Sequence, residues 1–395
     1  MINLNSEKKL KKIKFGLLPR ILVAIALGVA LGGVLPAWGI RIFLTFNGLF
    51  SQLLGFLIPL IIVGMVTPAI ADIGRGAGRM LLYTVLLAYA STIVAGLAAY
   101  FTGALTFPSL IDSSASIDAA AETVKLAPYF TVEIAPLMSV MTALVLAFMV
   151  GLGLAYLQSG DTLRAVAKDF GDLVTMTIEA VLIPLLPLYI FGIFLDMTAA
   201  GEVMRVIGVF IKIIGVIFVL HIVWLIVLYA VSGAVSKRNP FKMLAAMLPA
   251  YFTALGTQSS AATIPVTLEQ SRKMGVSDEV SGFVIPLCAT IHMSGSMLKI
   301  VACALALMLM QGIAYDFGMF FGFICMLAIT MVAAAGVPGG AIMAALGVLA
   351  TMLGFTAEDQ ALMISLYIAM DSFGTACNVT GDGALAAIVD RINKK

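Results

Sequence analysis

The chain has 395 residues, of which 62% are hydrophobic and 11% are charged, and its formal net charge at pH 7 is +2. Soluble domains hold roughly 45–50% apolar and about 25% charged residues, and the mean hydropathy here is +1.10. This composition excludes a soluble globular protein. It predicts an all-α integral membrane protein, because a helix satisfies its own backbone groups in lipid.

The chain begins with a basic segment, 1–17, that contains five lysines between Lys8 and Lys14. The apolar run that follows is about 20 residues long and lacks a small-residue cleavage site, which is typical of a retained membrane helix rather than a signal peptide. We therefore expect a cytoplasmic N-terminus followed by the first span.

Six apolar runs are long enough to predict membrane spans. They cover 18–36, 43–71, 79–103, 136–158, 173–198 and 204–234. Lysine and arginine residues precede the first span and follow the second, fourth and sixth, so the positive-inside rule places these loops and the N-terminus in the cytoplasm. The acidic loop 104–135 then faces the other side.

The pattern changes after residue 240. Segment 243–268 holds about 14 apolar residues before the polar sequence TQSS, and these reach about 21 Å against a hydrocarbon core of about 30 Å. It is predicted to be a re-entrant hairpin that enters from the cytoplasm. A long span at 281–311 follows, interrupted between Thr290 and Ser296.

A second hairpin, 317–354, has its tip at GVPGG, and a final span covers 359–390 before a basic, cytoplasmic C-terminus. The charge rule requires this hairpin to enter from outside. The prediction is eight transmembrane helices plus two re-entrant hairpins of opposite topology. Repeats of this kind are the sign of a secondary transporter, in which non-helical backbone at membrane depth surrounds a binding cavity.

The last span carries four polar residues on one helical face, Asp371, Thr375, Asn378 and Asp382. Carboxylates inside a membrane are costly and usually functional, so we expect a binding site here. The alternative is an ion pair used for packing, with Lys299 as its partner.

Each hairpin tip offers a different kind of ligand. Ser259 and Ser260 supply hydroxyl groups near a helix terminus, which favours a carboxylate. The second tip, Gly336 to Gly340, contains turn formers that expose carbonyl oxygens able to coordinate a hard cation. A plain turn remains the alternative at both tips.

The interrupted span is the third polar region. A break there frees backbone carbonyls, and it also brings hydroxyl, imidazole and ammonium groups to membrane depth. A lone histidine is more often a satisfied interior residue than a ligand, whereas the lysine is too deep to reach the interface easily. The candidate residues for cation binding or coupling are Cys288, Thr290, His292, Ser294 and Lys299.

Four runs of sequence resemble the dicarboxylate/amino acid:cation symporter family, which includes the glutamate transporters. They are TQSSAATIPVT, IHMSGSM, GVPGGAIM and MDSFGTACNVTGDGALAAIV. The resemblance implies a homotrimer with an elevator mechanism. Helices 1–6 (18–234) would form the scaffold, with helices 3 and 6 moving with the transport core at 243–395.

The resemblance also implies residue roles. Ser259 and Ser260 would meet the substrate α-carboxylate, Asp371 its amino group, and Thr375 and Asn378 the rest of the molecule. Asp382 and Asn378 would bind sodium together with carbonyls of the broken helix. The remaining candidate substrate-binding residues are Ser296, Val337 and Gly340.

Three departures from the family pattern concern charge. The family's NMDGT motif reads HMSGS here, Gly374 stands where an arginine is usual, and Gln258 replaces an arginine before the hairpin serines. The second tip is also one residue shorter. A neutral amino acid is therefore favoured as substrate, and an acidic amino acid or C4-dicarboxylate is the alternative.

Two other classes of membrane protein, a channel and an enzyme, fit the sequence less well. A substrate-gated anion channel fits opposite hairpins less well than alternating access does. An intramembrane hydrolase using Ser294 or Ser296 with His292 lacks an orienting third group, so we expect no enzyme.

The coupling ion is open between sodium and a proton, and no other cofactor is expected. Lys299 near Ser294 or Asp382 would replace a bound cation, or His292 would carry a proton. Alternatively, sodium remains at Asp382 and Lys299 pairs with a scaffold carboxylate. We expect a protein of the inner membrane, with a small-molecule substrate, lipid contacts and no nucleic-acid partner.

Overall fold

The computed structural model describes residues 16–73, 78–111, 126–157, 159–201, 203–331, 334 and 339–394. Within these ranges the chain forms α-helices and no strand. The basic segment predicted at 1–17 lies almost entirely outside the described residues.

Among the described residues, seven α-helices precede the first hairpin. They are α1 (Leu17–Gly32), α2 (Ala37–Ile73), α3 (Gly78–Leu110), α4 (Val140–Tyr156), α5 (Asp161–Thr177), α6 (Ile183–Ala199) and α7 (Val203–Ser236). Helix coincides with each of the six predicted spans, and that each crosses a membrane stays a prediction. The largest difference in bounds concerns the fifth. The helix predicted at 173–198 begins at Asp161, because α5 continues into α6 through one π-helical turn, Ile178–Leu182. Charged residues interrupt the apolar run in α5, but they do not prevent a helix from forming.

The first predicted hairpin is formed by α8 (Pro240–Thr257) and α9 (Ser260–Lys273). The interrupted span is formed by α10 (Asp278–Ile291) and α11 (Ser294–Gln311), with the break at His292 and Met293. Both interruptions therefore occur where the sequence predicted them. Entry of the hairpin into a membrane stays a prediction.

The second hairpin is formed by α12 (Phe317–Met331) and α13 (Gly340–Leu353). Most of its tip, including Val337, lies outside the described residues.

The predicted continuous helix at 359–390 is wrong. The chain instead forms α14 (Ala357–Ala369) and α15 (Asp371–Asn393), which are bent by 63°. Met370 has φ −111° and ψ 10°, outside the helical region. Asp371 consequently starts a new helix, where the helix dipole favours a carboxylate.

Five helical segments among the described residues are long and apolar enough to cross a membrane, or six if the bent pair counts as one span. Helices α1 and α4 are shorter, with 16 and 17 residues. At 1.5 Å per residue they reach about 25 Å, which is less than a typical core of about 30 Å. The predicted number of eight spans therefore stays a prediction, whereas a multi-pass membrane protein agrees with these lengths.

Helix α15 lies at the centre of the second half of the chain. It contacts α7, α8, α9, α10 and α11, and nearly all of its residues from Asp371 to Asp390 are buried. The polar residues of α15 are thus enclosed by protein, as polar groups at membrane depth require.

Candidate functional site

A small cavity lined by polar and apolar side chains lies where three interruptions of helix meet: the first hairpin tip, the break before α11 and the start of α15. Its volume is about 30 Å³, room for two or three water molecules at most. Its lining residues are Gln258, Ser260, Ala289, Met293, Ser296, Ala334, Ala341, Tyr367, Asp371, Thr375 and Asn378. Five of the predicted substrate-binding residues are therefore brought together here, namely Ser260, Ser296, Asp371, Thr375 and Asn378.

Asp371 forms a buried ion pair with Lys299. The Lys299 Nζ lies 3.1 Å from Asp371 Oδ1 and 3.5 Å from the centroid of the Tyr367 ring. The other carboxylate oxygen, Asp371 Oδ2, accepts a hydrogen bond of 2.9 Å from the backbone N–H of Gly339. Lys299 therefore does not lie beside Ser294 or Asp382, where the cation-replacement hypothesis placed it.

Gly374 provides the space that Lys299 occupies. A Cβ atom at residue 374 would lie 2.4 Å from Lys299 Cε and 2.5 Å from its Nζ. These separations are far below van der Waals contact, so a side chain at residue 374 and this lysine conformation exclude one another.

Asn378 connects the broken helix to α15. Its Oδ1 accepts hydrogen bonds from the backbone N–H of Gly295 at 2.7 Å and of Ser296 at 3.3 Å, so it satisfies amides that the start of α11 leaves unpaired. Its Nδ2 donates to Ser296 Oγ at 3.1 Å, and that hydroxyl lies 3.0 Å from the Tyr367 hydroxyl. The arrangement fixes the start of α11 against α15 beside the cavity.

A second buried cluster lies farther along α15. His292 Nδ1 is 2.9 Å from Asp382 Oδ1, and His292 Nε2 is 3.0 Å from the Ser91 hydroxyl on α3. A Cβ atom at residue 381 would lie 2.6 Å from His292 Cε1, so Gly381 admits the imidazole ring. The cluster has the groups to hold a proton between imidazole and carboxylate.

The proposed sodium ligands face protein groups here. Asp382 Oδ1 faces the imidazole of His292, and Asn378 Oδ1 faces two backbone N–H groups. Sodium prefers oxygen ligands, and the carboxylate and amide oxygens suit it chemically. The sodium site at Asp382 and Asn378 stays a prediction.

The tip of the first hairpin is held by two side chains. Ser259 Oγ accepts a hydrogen bond of 3.2 Å from the backbone N–H of Ala262, as a helix N-cap does. Gln258 adopts φ 54°, and its Nε2 donates to Ser372 Oγ at 2.8 Å. The tip is therefore fixed against the start of α15.

Replacing Ser259 by alanine is expected to destabilise the protein by about 1 kcal/mol, because the first turn of α9 loses its cap. Ser259→Asp should retain most of the stability, since aspartate is an equally good cap. Thermal unfolding of the purified variants in detergent measures both. Equal losses for the two variants would show that capping is not what Ser259 contributes.

Some predicted residues lie elsewhere or do other things. Thr290 is exposed, and its hydroxyl donates to the Leu287 carbonyl. The carbonyl of Cys288 accepts the His292 backbone N–H at the end of α10. Ser294 is buried, and its hydroxyl has no hydrogen-bond partner among the described residues. Gly340 is buried at the start of α13.

Sequence reasoning did not find four polar residues that contact the broken helix. They are Tyr367, Ser91, Thr92 and His221. Thr92 accepts the Met293 backbone N–H at 3.3 Å, and His221 Nε2 lies 2.9 Å from the Gly295 carbonyl. Ser91 and Thr92 are adjacent in α3, and the other two lie singly in apolar helices, so the sequence signal was a hydroxyl or imidazole group without a motif.

A multi-pass helical protein whose interrupted helices surround a cavity with buried polar groups has the architecture of secondary transporters. Residues 17–392 match the family model described as the Sodium:dicarboxylate symporter family. The chain belongs to that family, and the predicted membership is confirmed.

Individual relatives match parts of the chain. Excitatory amino acid transporter 2 of Homo sapiens is 34% identical over 161 residues, covering 40% of this chain and 28% of the relative. Excitatory amino acid transporter 1 of Ambystoma tigrinum is 32% identical over 235 residues, covering 58% and 43%. The same transporter of Bos taurus is 31% identical over 242 residues, covering 60% and 44%. The chain thus spans less than half the length of these relatives, which are named as transporters.

Proposed function

We propose that the protein is a secondary active symporter for a small amino acid or a related carboxylate. The observation that carries the proposal is the cavity where the first hairpin tip, the break at His292 and Met293, and the start of α15 meet. Interrupted helices at one site supply helix termini and free polar groups to a ligand, and their rearrangement can open the site to one side at a time.

The cavity suggests how such a substrate would bind. The N-terminal end of α9 at Ser259 and Ser260 suits a carboxylate, because the helix dipole favours negative charge there. Asp371 suits an ammonium group, and Thr375, Asn378 and Ser296 offer hydrogen bonds to the remainder. A cavity of about 30 Å³ must expand to admit an amino acid, so substrate entry would include movement of a hairpin. Val337 and Gly340 of the second hairpin are the remaining proposed substrate-binding residues.

A neutral amino acid is the favoured substrate. Asp371 is the one charged residue among the described residues that line the cavity, and the nearby ammonium of Lys299 is already paired with it. A side-chain carboxylate on the substrate would therefore find no free cation. An acidic amino acid or C4-dicarboxylate is the alternative, and relatives named excitatory amino acid transporters favour it.

Sodium and a proton are the two candidate coupling ions. Membership of the sodium:dicarboxylate family favours sodium at Asp382 and Asn378. The contacts of His292 with Asp382 and Ser91 favour a proton as the coupling ion. The imidazole occupies the position beside the Asp382 carboxylate that a bound sodium ion would need.

The proposed assembly is a homotrimer in an inner cell membrane, with both termini cytoplasmic. The first six predicted spans would form the scaffold, except that the third and the sixth move with the core at 243–395. These two spans correspond to α3 and α7 of the structure. In the structure α1, α2, α4 and α6 pack mainly on one another, whereas α3 and α7 contact α11 and α15. This division supports an elevator movement of the second group against the first.

The test is uptake by purified protein in liposomes, screened with glycine, L-alanine, L-serine, L-aspartate and succinate. Sodium is present or replaced by choline, at pH 5.5 and 7.5. Saturable uptake driven by an ion gradient is expected, and its dependence on sodium or on low pH identifies the coupling ion. Steady current without any added substrate would instead indicate a channel.

A further inference from the structure

The carboxylate proposed to hold the substrate ammonium already holds an ammonium that belongs to the protein. Asp371 Oδ1 pairs with Lys299 at 3.1 Å, and Asp371 Oδ2 accepts the Gly339 backbone N–H at 2.9 Å. The lysine is 0% exposed. Both carboxylate oxygens of Asp371 therefore have partners within the protein, and the cavity beside them is too small for an amino acid.

Lys299 fits at this position because the neighbouring residue of α15, Gly374, has no side chain. Its terminal atoms fill the space beside Gly374, where a Cβ atom would lie 2.4 Å from Lys299 Cε. The ammonium also lies over the Tyr367 ring at 3.5 Å, an attractive contact for a desolvated cation. The other buried carboxylate of α15 near the break, Asp382, is engaged by His292. Lys299 is thus directed to Asp371 specifically.

We infer that Lys299 is a tethered substitute for the substrate ammonium: it occupies Asp371 in the empty carrier and leaves when an amino acid binds. This inference rests on the proposed function. Substrate must then displace the lysine, so the apparent affinity falls by the fraction of carriers in which Asp371 is free. The empty core also crosses the membrane with Asp371 paired, which avoids the cost of an unpaired carboxylate in lipid.

The first test asks whether Asp371 binds an external ammonium once the lysine is gone. Lys299→Ala removes Cγ, Cδ, Cε and Nζ, which are the heavy atoms of n-propylammonium. Millimolar n-propylammonium chloride is expected to raise the Tm of Lys299→Ala by several degrees, since a ligand that binds the folded state stabilises it. The wild-type protein should show no such shift, because its own lysine fills the site.

Two controls separate charge from shape. The double variant Lys299→Ala/Asp371→Asn keeps the space but loses the carboxylate, and it should not respond to the amine. n-Propanol matches the shape without the charge and should not stabilise Lys299→Ala. An amine shift that is absent in Lys299→Ala, or unchanged in the double variant, would overturn the inference.

The second test separates exchange from net uptake and uses Lys299→Met, which keeps the apolar volume. Labelled glycine, L-alanine, L-serine and L-aspartate serve as probes. Exchange should persist with an apparent affinity about tenfold tighter, whereas net uptake should slow by about tenfold because the empty core returns with an unpaired Asp371. A parallel loss of both activities would show that Lys299 has a purely structural role.

The two proposals fail in different ways. If wild-type protein transports none of the probes while n-propylammonium still binds Lys299→Ala through Asp371, the proposed transport of amino acids fails and the ammonium site stands. If wild-type protein transports a probe but Lys299→Ala ignores the amine, the tethered-cation inference fails alone.

Discussion

Asp371→Ala is expected to lower the stability of the protein by about 3–5 kcal/mol, because it leaves the ammonium of Lys299 buried without its partner. Lys299 is fully buried, and its ion-pair partner is the carboxylate of Asp371 at 3.1 Å. The variant should unfold at a markedly lower temperature in detergent, and uptake should be lost.

The companion variant for this prediction is Lys299→Met/Asp371→Leu. Replacing both members of a buried pair by apolar residues of similar volume is often neutral or stabilising. The double variant should therefore regain thermal stability without regaining uptake, which separates the structural from the transport role of Asp371. A Tm of Asp371→Ala equal to that of the wild type would contradict the buried ion pair.

Gly374→Ala is expected to have the second large effect, because the added methyl group and the end of Lys299 cannot share the same space. The methyl carbon would lie 2.4 Å from Lys299 Cε and 3.0 Å from its Cδ. The end of a lysine is flexible, and we expect the shift that the methyl group requires to lengthen the 3.1 Å contact of the ammonium with Asp371. Overpacking of this kind costs about 1–3 kcal/mol, and we expect the same range for the loss of stability.

A double-mutant cycle tests this clash directly. Gly374→Ala should destabilise the wild-type protein but have little effect in a Lys299→Ala background, giving a coupling energy of about 1 kcal/mol or more. Gly215→Ala is the matched control, since a Cβ atom at that position meets nothing within 4 Å. Additive effects of Gly374→Ala and Lys299→Ala would show that the two residues do not compete for space.

The positions of helices and breaks were largely predictable from the sequence. Apolar length and charge located α1 to α4, α6 and α7 but not most of α5, whose charged residues hide it. Short apolar runs ending in polar residues located the first hairpin and the break before α11. These features depend on local composition, which the sequence states directly. The bend at Met370 was not predictable, because neither proline nor glycine marks it.

The sequence alone did not indicate which buried carboxylate Lys299 pairs with. Asp371 and Asp382 lie roughly three turns apart on α15, and either could have received Lys299. The alignment of α11 against α15 decides between them, and that alignment comes from tertiary packing. Two glycines of α15 determine where these side chains fit. Lys299 packs beside Gly374 and His292 beside Gly381, where α15 has no side chain.

The most direct test of a carrier with its substrate site at Asp371 is counterflow in proteoliposomes, in which unlabelled substrate inside drives the entry of labelled substrate. Wild-type protein should show entry stimulated by internal substrate. Asp371→Asn should abolish it, and Glu269→Gln, at an exposed carboxylate paired with Lys273, should leave it unchanged. Counterflow that persists in Asp371→Asn, or wild-type flux that internal substrate does not stimulate, would contradict such a carrier.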